Sequence, residues 1–321
     1  MTGPAFSVVV PLYNRRAYVL RALGGAMEQE HPPGEIIVVD DGSTDDGPDL
    51  VRHEFEHVKV IRQDNAGVGA ARNAGIREAR SSWIALLDAD DLWMPNHLRE
   101  LARIITAVPD ASLVSTRHRS VAQQQTLPRI PDARGRVRRV DYFEAAARDS
   151  RVVWTSSAAV RREVLTELGG FGPWPIGEDI ELWARIALER PVAVSDAVTA
   201  LYVRGTGGVM ERDVARSSEG HGQVRVPDRV ADLSHSCATV VQALDREDLP
   251  VRRESLIGYL DARVVGKINS SLLRGDVCRA KALRQLLHRR FRPRWLVSVG
   301  LTYLPAPVLR VLLAAARLIR G

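Results

Sequence analysis

The stretch WIALLDADDLWMP, Trp83 to Pro95, runs five apolar residues into three carboxylates, Asp88, Asp90 and Asp91, and then returns to apolar residues and a proline. Like charges crowded at the end of a buried strand repel one another, and folding alone does not call for them. They call for a cation or for chemistry. In a parallel sheet the carboxyl ends of apolar strands form the rim where ligands bind, and an apolar run that stops at acids fits such an end. Taken as a lone tripeptide, Asp-x-Asp has a plainer reading as a turn acid or helix cap. The surrounding pattern decides between them.

On either side of this stretch the first 116 residues alternate regularly. β-Branched or apolar runs at Phe6–Leu12, Glu35–Asp40, Val58–Arg62, Trp83–Asp88 and Ala111–Thr116 are separated by helix-period segments at Ala17–Met27, Asp46–Glu56, Gly69–Arg80 and Pro95–Ala107. Such alternation predicts a mostly parallel α/β sheet flanked by helices on both faces. Pro95 suits the first position of its helix. Residues Arg117–Arg151, with a glutamine run and a basic PDARGRVRR, predict an exposed excursion. Order returns with VVWTSSAAV, a helix at Arg161–Leu168, the segment GGFGPWPIGEDIELWARIALE and a strand at Val192–Val203. A Gly/Ser/Arg-rich linker at Arg212–Pro227 leads to helical segments at Asp228–Leu244, Val251–Arg274 and Val277–Arg290. The expected domains are 1–225, divided into parts at 1–116 and 117–225, and a helical region at 226–321.

The 321 residues, 45% hydrophobic and 26% charged, are those of a globular protein with a sizeable core. The net charge of +6 admits nucleic acid, an anionic membrane or an acidic substrate as partner. Aromatics at 5% form no stacking array, which argues against nucleic acid. Cys237 and Cys278 lie far apart with no metal-ligand spacing, as expected in a reducing cytoplasm. The N-terminal MTGPAFSVVVPLYNRR lacks the pattern of a signal peptide. The tail RWLVSVGLTYLPAPVLRVLLAAARLIRG is apolar, but Pro305, Pro307, Arg310 and Arg317 interrupt it before a spanning length accumulates. On a helical wheel Arg310 and Arg317 fall within about 20° of each other. That predicts an amphipathic helix lying at the anionic inner face of a membrane, with packing on protein as the alternative.

Four strand ends carry polar residues: Pro11, Tyr13 and Asn14 after the first; DDGSTD (Asp40 to Asp45) after the second; NAGVGAARNAG, with Arg72 and Asn73, after the third; and the Asp88–Asp90 pair after the fourth. The GVG at Gly67–Gly69 is no dinucleotide fingerprint, since it follows the wrong strand and lacks the third glycine. GEDIELW puts Glu178, Asp179 and Glu181 at the start of a helix, where dipole compensation explains some acid but three acids in four residues exceed a cap. One of them suits a general base. The aspartates after the fourth strand suit a hard cation, Mg2+ or Mn2+.

SVVVPLYN, IIVVDDGSTD, NAGVGAARNAGI, LLDADDLWMP and LGGF…GEDIELWARI, in that order over Phe6 to Val203, resemble the family-2 glycosyltransferases, inverting enzymes of the GT-A fold. The resemblance implies that 1–116 is a Rossmann-like nucleotide-sugar-binding half and 117–225 the acceptor and catalytic-base half. The donor would be a nucleotide sugar, whose uracil Asp41 would read in a UDP-sugar, and the acceptor a hydroxyl on a glycan, a lipid-linked glycan or a small molecule. It implies that Pro11, Tyr13 and Asp41 hold the nucleotide base, that Arg72 contacts the nucleotide or its phosphates, and that Asp88 faces the ribose. Asp90 of the DXD motif would ligate a divalent metal, Mn2+ or Mg2+. Asp179 would be the catalytic base, with Glu178 beside it. The chain departs from the family where a Tyr-x-Arg-x-His-like segment often follows the last strand: LYVRGTGGVM keeps Tyr202 and Arg204 but has glycines near the histidine's place. A third protein ligand to the metal is thereby in doubt, and the glycines suggest a loop that closes over the donor. A sugar nucleotidylyltransferase would also use sheet, metal and nucleotide, but needs a glycine-rich basic loop where PLYNRR stands. A non-catalytic sugar-nucleotide-binding protein would not need these acids intact.

Overall fold

The computed structural model describes residues 3–123, 134–208, 229–274 and 276–287. The described residues divide into two compact units. The first draws on Met1–Tyr142 and Arg151–Gly220, the second on Phe143–Ser150 and His221–Gly321.

The first unit is built on a mixed sheet. Its strands are β1 (Phe6–Leu12), β2 (Glu35–Asp40), β3 (Lys59–Arg62), β4 (Trp83–Leu86), β5 (Leu92–Trp93), β6 (Leu113–Ala122), β7 (Val137–Val140), β8 (Ala158–Arg161) and β9 (Val192–Arg204). They run in the order β3-β2-β1-β4-β8-β6-β9-β5, and β7 also pairs with β9. β3, β2, β1 and β4 are parallel, with Val8 opposite Ile36 on one side and Ala85 on the other. β8 then enters antiparallel between β4 and β6. Strand order reverses at β1, between β2 and β4, so the carboxyl ends of β1 and β4 flank the crevice where such sheets bind ligands.

Helices α1 (Arg16–Met27), α2 (Gly47–Glu54), α3 (Val68–Glu78) and α4 (His97–Ala107) cover the sheet. Phe6, Val8, Val10 and Leu12 point to one face, in one core with Val19 and Leu23 of α1 and Leu98 and Leu101 of α4. Val9 points to the other face, where α3 approaches so closely that a Cβ at Gly75 would lie 2.5 Å from Val9 Cγ1. Burial on both faces is why these strands read as continuous apolar runs. Two further helices, α6 (Arg162–Glu167) and α7 (Glu178–Glu189), complete this unit.

The helix expected from Pro95 starts instead at His97. The Pro95 carbonyl accepts the Glu30 N–H, and the N–H of Leu98 is taken by the Gln29 side chain, so the residues that follow α1 set where α4 begins. The excursion expected at Arg117–Arg151 is largely ordered: β6 continues to Ala122, and β7 and helix α5 (Tyr142–Arg148) follow. Arg117 and Arg119 are exposed charged residues that look like loop, but their backbone pairs with Val198 and Leu201 of β9, the register shifting on either side of Arg117. Only 124–133 of that segment lies outside the described residues.

In the second unit α5 is joined by α8 (His235–Ala243), α9 (Arg253–Arg274) and α10 (Val277–Leu283). Phe143 meets Tyr259 edge-to-face at 5.4 Å, and Arg252 pairs with Glu144 at 2.7 Å. The helix expected over Asp228–Leu244 is a 3-10 turn at Val230–Leu233 followed by α8, because the Ser234 hydroxyl caps α8 by accepting the Cys237 N–H. The helix expected to Arg290 ends at Leu283, with a 3-10 turn at Arg284–Leu286. Among the described residues no helix is long and apolar enough to cross a membrane. The expected linker at Arg212–Pro227 and the amphipathic tail from Pro307 lie outside the described residues.

Candidate active site

The chain leaves β1 through Tyr13, 40% exposed, and Asn14, which adopts a left-handed φ of 51°. Asparagine tolerates that conformation, and its side chain uses it. Oδ1 accepts the Thr44 and Asp45 N–H groups at 2.8 and 3.3 Å, and the Asn14 N–H donates to Ser43 Oγ. The ends of β1 and β2 are thus tied into one ledge. Asp40 closes β2 with its Oδ1 on the Ser43 N–H. Asp41 is buried, and its carboxylate accepts Gln63 Nε2 at 2.8 Å and the Ala66 and Gly67 N–H groups at 2.9 Å each. It therefore fixes the loop that opens α3. Gly67 there has a left-handed φ of 92°, and a Cβ at Gly69 would lie 2.8 Å from the Gly172 carbonyl. GVG is a close-packing device here. Asn73 continues it, exchanging two 2.8 Å hydrogen bonds with the Phe171 backbone and so locking α3 to the LGGF turn.

Arg72 is the buried centre of the rim. Its guanidinium donates to Asp88 Oδ1 at the end of β4 and to Glu178 Oε1 at the start of α7, each at 2.7 Å, with the Phe171 ring 5.1 Å beneath. Burial by itself lowers an arginine pKa; Asp88 and Glu178 outweigh it and hold Arg72 charged. Burial raises the Glu178 carboxyl, against Arg72, and neighbouring Asp179 raises it further. Asp179, half-buried, accepts the Thr155 hydroxyl on Oδ2 and the Ile180 N–H on Oδ1, both at 2.7 Å.

Asp90 and Asp91 differ in use. Asp91 is buried and receives Ser156 Oγ at 2.6 Å and the Val203 N–H at 3.1 Å, while Ser156 Oγ also accepts the Asp88 N–H. It knots the end of β4 to residues 154–156 and to β9. Asp90 lies at the rim, where Arg15 Nε at 3.2 Å and Thr206 Oγ1 at 2.8 Å both engage Oδ2. Burial and the adjacent Asp88 raise its carboxyl above the usual range. Among the described residues no three His, Cys, Asp or Glu side chains are grouped to cage a metal. Asp90 instead fits a hard cation held by one carboxylate and completed by ligand phosphate oxygens and water, since its charge is desolvated and crowded by Asp88.

The structure thus brings Tyr13, Arg72, Asp88, Asp90, Glu178 and Asp179 to one end of the sheet, with Pro11 inside β1 and Asp41 behind the rim. Sequence reasoning missed Arg15, Thr155, Ser156 and Thr206. Their hydroxyls and charge act through partners 24 to 116 residues away, and no local pattern marks them.

This sheet, with acids gathered at its switch point, is the GT-A kind of nucleotide-binding fold. The chain belongs to glycosyl transferase family 2, whose family model matches residues 7–169. An uncharacterized glycosyltransferase of Nostoc sp. is 38% identical over 116 residues, 35% of each chain. The succinoglycan biosynthesis protein ExoO of Rhizobium meliloti is 39% identical over 138 residues, 40% of each chain. The matched stretch thus spans little more than a third of these relatives. The fold resembles S. aureus TarS 1-349 in complex with UDP-GlcNAc, with a TM-score of 0.61 at 17% identity, covering 96% of this chain and 89% of that one. It also resembles the mannosyltransferase PcManGT of Pyrobaculum calidifontis in complex with GDP-Man and Mn2+, with a TM-score of 0.56 at 19% identity, covering 98% and 86%.

Proposed function

We propose that this glycosyltransferase moves a sugar from a UDP-sugar to an acceptor hydroxyl with inversion, in the synthesis of a cell-envelope glycan. The observation that carries this is Arg72 joining Asp88 of the DXD motif to Glu178, with Asp179 close enough to act on the same guanidinium. UDP-GlcNAc and GDP-Man in the two structural neighbours, and succinoglycan synthesis for ExoO, support the donor class and the glycan setting.

In this reading Pro11 and the exposed ring of Tyr13 bound the base pocket, and Asp41 shapes its edge through the 63–67 loop. Asp88, oriented by Arg72, faces the ribose. Asp90 would hold a divalent cation, Mn2+ or Mg2+, which would supply Lewis-acid neutralisation of the leaving diphosphate. Asp179 takes the proton of the acceptor hydroxyl while that oxygen bonds to the anomeric carbon. The bond from anomeric carbon to phosphate oxygen breaks, and its electron pair leaves with the diphosphate. Thr155 and the Ile180 N–H hold the Asp179 carboxylate at a fixed angle for that transfer, and Glu178, turned toward Arg72, lines the sugar side.

The test incubates the protein with Mn2+ and a panel of UDP- and GDP-sugars, measuring nucleoside diphosphate release and the anomeric configuration of the product by NMR. Release of UDP with inversion supports the reading. Pyrophosphate-dependent exchange of the nucleotide would identify a nucleotidylyltransferase instead, and donor binding without turnover a binding protein.

A further inference from the structure

We propose that Arg15 is a built-in competitor for the cation at Asp90 and, with Thr206, sets how readily the site loads metal; this rests on the reading of Asp90 as a metal ligand. Arg15 flanks the start of α1, and its guanidinium makes three contacts across the rim: Nε to Asp90 Oδ2 at 3.2 Å, Nη1 to the Asn14 carbonyl at 3.2 Å and Nη2 to the Gly207 carbonyl at 3.3 Å. Thr206 donates to the same Asp90 oxygen at 2.8 Å. The one carboxylate oxygen thus serves both a fixed cation and the segment that follows β9. Thr206 stands between Gly205 and Gly207, whose left-handed φ values of 88° and 69° turn the backbone over Asp90.

The Arg15 and Asp90 side chains are 16% and 19% exposed, so water screens their attraction only in part. A divalent cation approaching Asp90 meets a like charge already in place and has to displace it. Without that charge Asp88, Asp90 and Asp91 would crowd together with less to offset their repulsion. Arg15 therefore steadies the rim when no metal is bound and raises the metal concentration at which the site fills. A merely structural ion pair would change folding stability when cut and leave metal affinity where it was.

The test is calorimetric titration of Mn2+, against a UDP-only blank, into the full-length protein and its R15Q, T206V and D90N variants. Each is saturated with UDP to supply the phosphate oxygens, with melting curves to confirm folding. R15Q is expected to bind Mn2+ at least ~10-fold more tightly than the unmodified protein, a modest share of what an adjacent, partly screened like charge costs. T206V, which removes a neutral donor from the same oxygen, tightens binding by a smaller factor, and D90N abolishes it. Uptake of Mn2+ by R15Q but not by the unmodified protein also supports the proposal. Loss of Mn2+ in D90N with no gain in R15Q overturns the competition and leaves Asp90 as a metal ligand. Unchanged Mn2+ binding in D90N overturns the metal reading itself, and the proposal with it, as does failure of both the unmodified protein and R15Q to bind. If R15Q does not fold, T206V decides alone, and an unchanged affinity there overturns the proposal.

Discussion

The hydroxyl of Thr155 donates to Oδ2 of Asp179 from 2.7 Å, and Thr155 is itself buried. A carboxylate at the first turn of α7 is held there by a residue from the other side of the rim, 24 positions earlier. Hydrogen bonds to charged groups are worth about 1.5–3 kcal/mol, enough to decide how a base is aimed.

Replacing Thr155 with valine keeps the volume and removes only that donor. Turnover of the donor sugar is expected to fall ~10-fold or more, with serine restoring it and UDP affinity unchanged. Asp179→Asn is expected to cost at least ~10² in turnover, the low end for loss of a general base. Glu178→Gln giving the larger loss of the two would exchange their roles.

The Arg72 guanidinium is buried between two carboxylates, and removing one partner of a buried ion pair leaves charge uncompensated. Arg72→Met is expected to lower unfolding free energy by about 3 kcal/mol in urea denaturation. Arg72→Lys keeps the charge without the planar fork that reaches both acids, so it recovers part of that loss. A loss under about 1 kcal/mol for Arg72→Met would mean Asp88 and Glu178 find water instead.

Much of the first unit was legible because its strands are buried on both faces. SVVV and IIVV carry no outward residues to break the apolar run, and the acids at strand ends mark the rim directly. The entry of β8 was not legible: Ala158–Arg161 has no feature that says it runs antiparallel between β4 and β6, since pairing is decided by backbone bonds to distant strands. The extension of β6 through Arg117 and Arg119 was hidden for the opposite reason, because charged side chains on an open face look like loop. At the rim the acids were visible as a pattern. Arg15, Thr155 and Thr206 were not, because a lone arginine or threonine gains its meaning from a partner that only folding supplies.

Gly75 sits inside α3, where alanine ordinarily stabilises a helix by about 1 kcal/mol. The added Cβ would stand 2.5 Å from Val9 Cγ1 and 3.2 Å from Val39 Cγ2, both on the sheet beneath. Overpacking typically costs ~1–3 kcal/mol, so Gly75→Ala is expected to lower the melting temperature despite the better helix former. A raised melting temperature would show that α3 lies farther from β1 than these distances say.

Acid stability turns on His97, the first residue of α4. Its ring stacks on Trp93 at 4.4 Å, and Nδ1 lies 2.7 Å from Thr199 Oγ1. That hydroxyl donates onward to Thr116 Oγ1, so Nδ1–H is the donor to Thr199, and Nε2 is left buried without a partner. Burial pushes the imidazole pKa down from 6.5 to about 3. The unfolded chain therefore takes up a proton near pH 6.5 that the folded chain refuses until about pH 3. Stability is full above pH 6.5 and falls steadily as pH drops through that window, by about 1.4 kcal/mol per pH unit once His97 is protonated in the unfolded chain. Glu35 and Glu100, whose carboxyls are held below the usual range against burial by hydrogen bonds and nearby arginines, add to the loss only below the ordinary carboxylate pKa near 4.5. The raised carboxyls of Asp90, Asp91 and Glu178 act in the opposite sense in both proteins. Between pH 6.5 and 5 the unfolding free energy, from urea titrations at fixed ionic strength, should thus fall more steeply with acid in the native protein than in His97→Gln. Equal slopes for the two would assign the acid sensitivity to other groups and give His97 a proton, or a route to water, in the folded state.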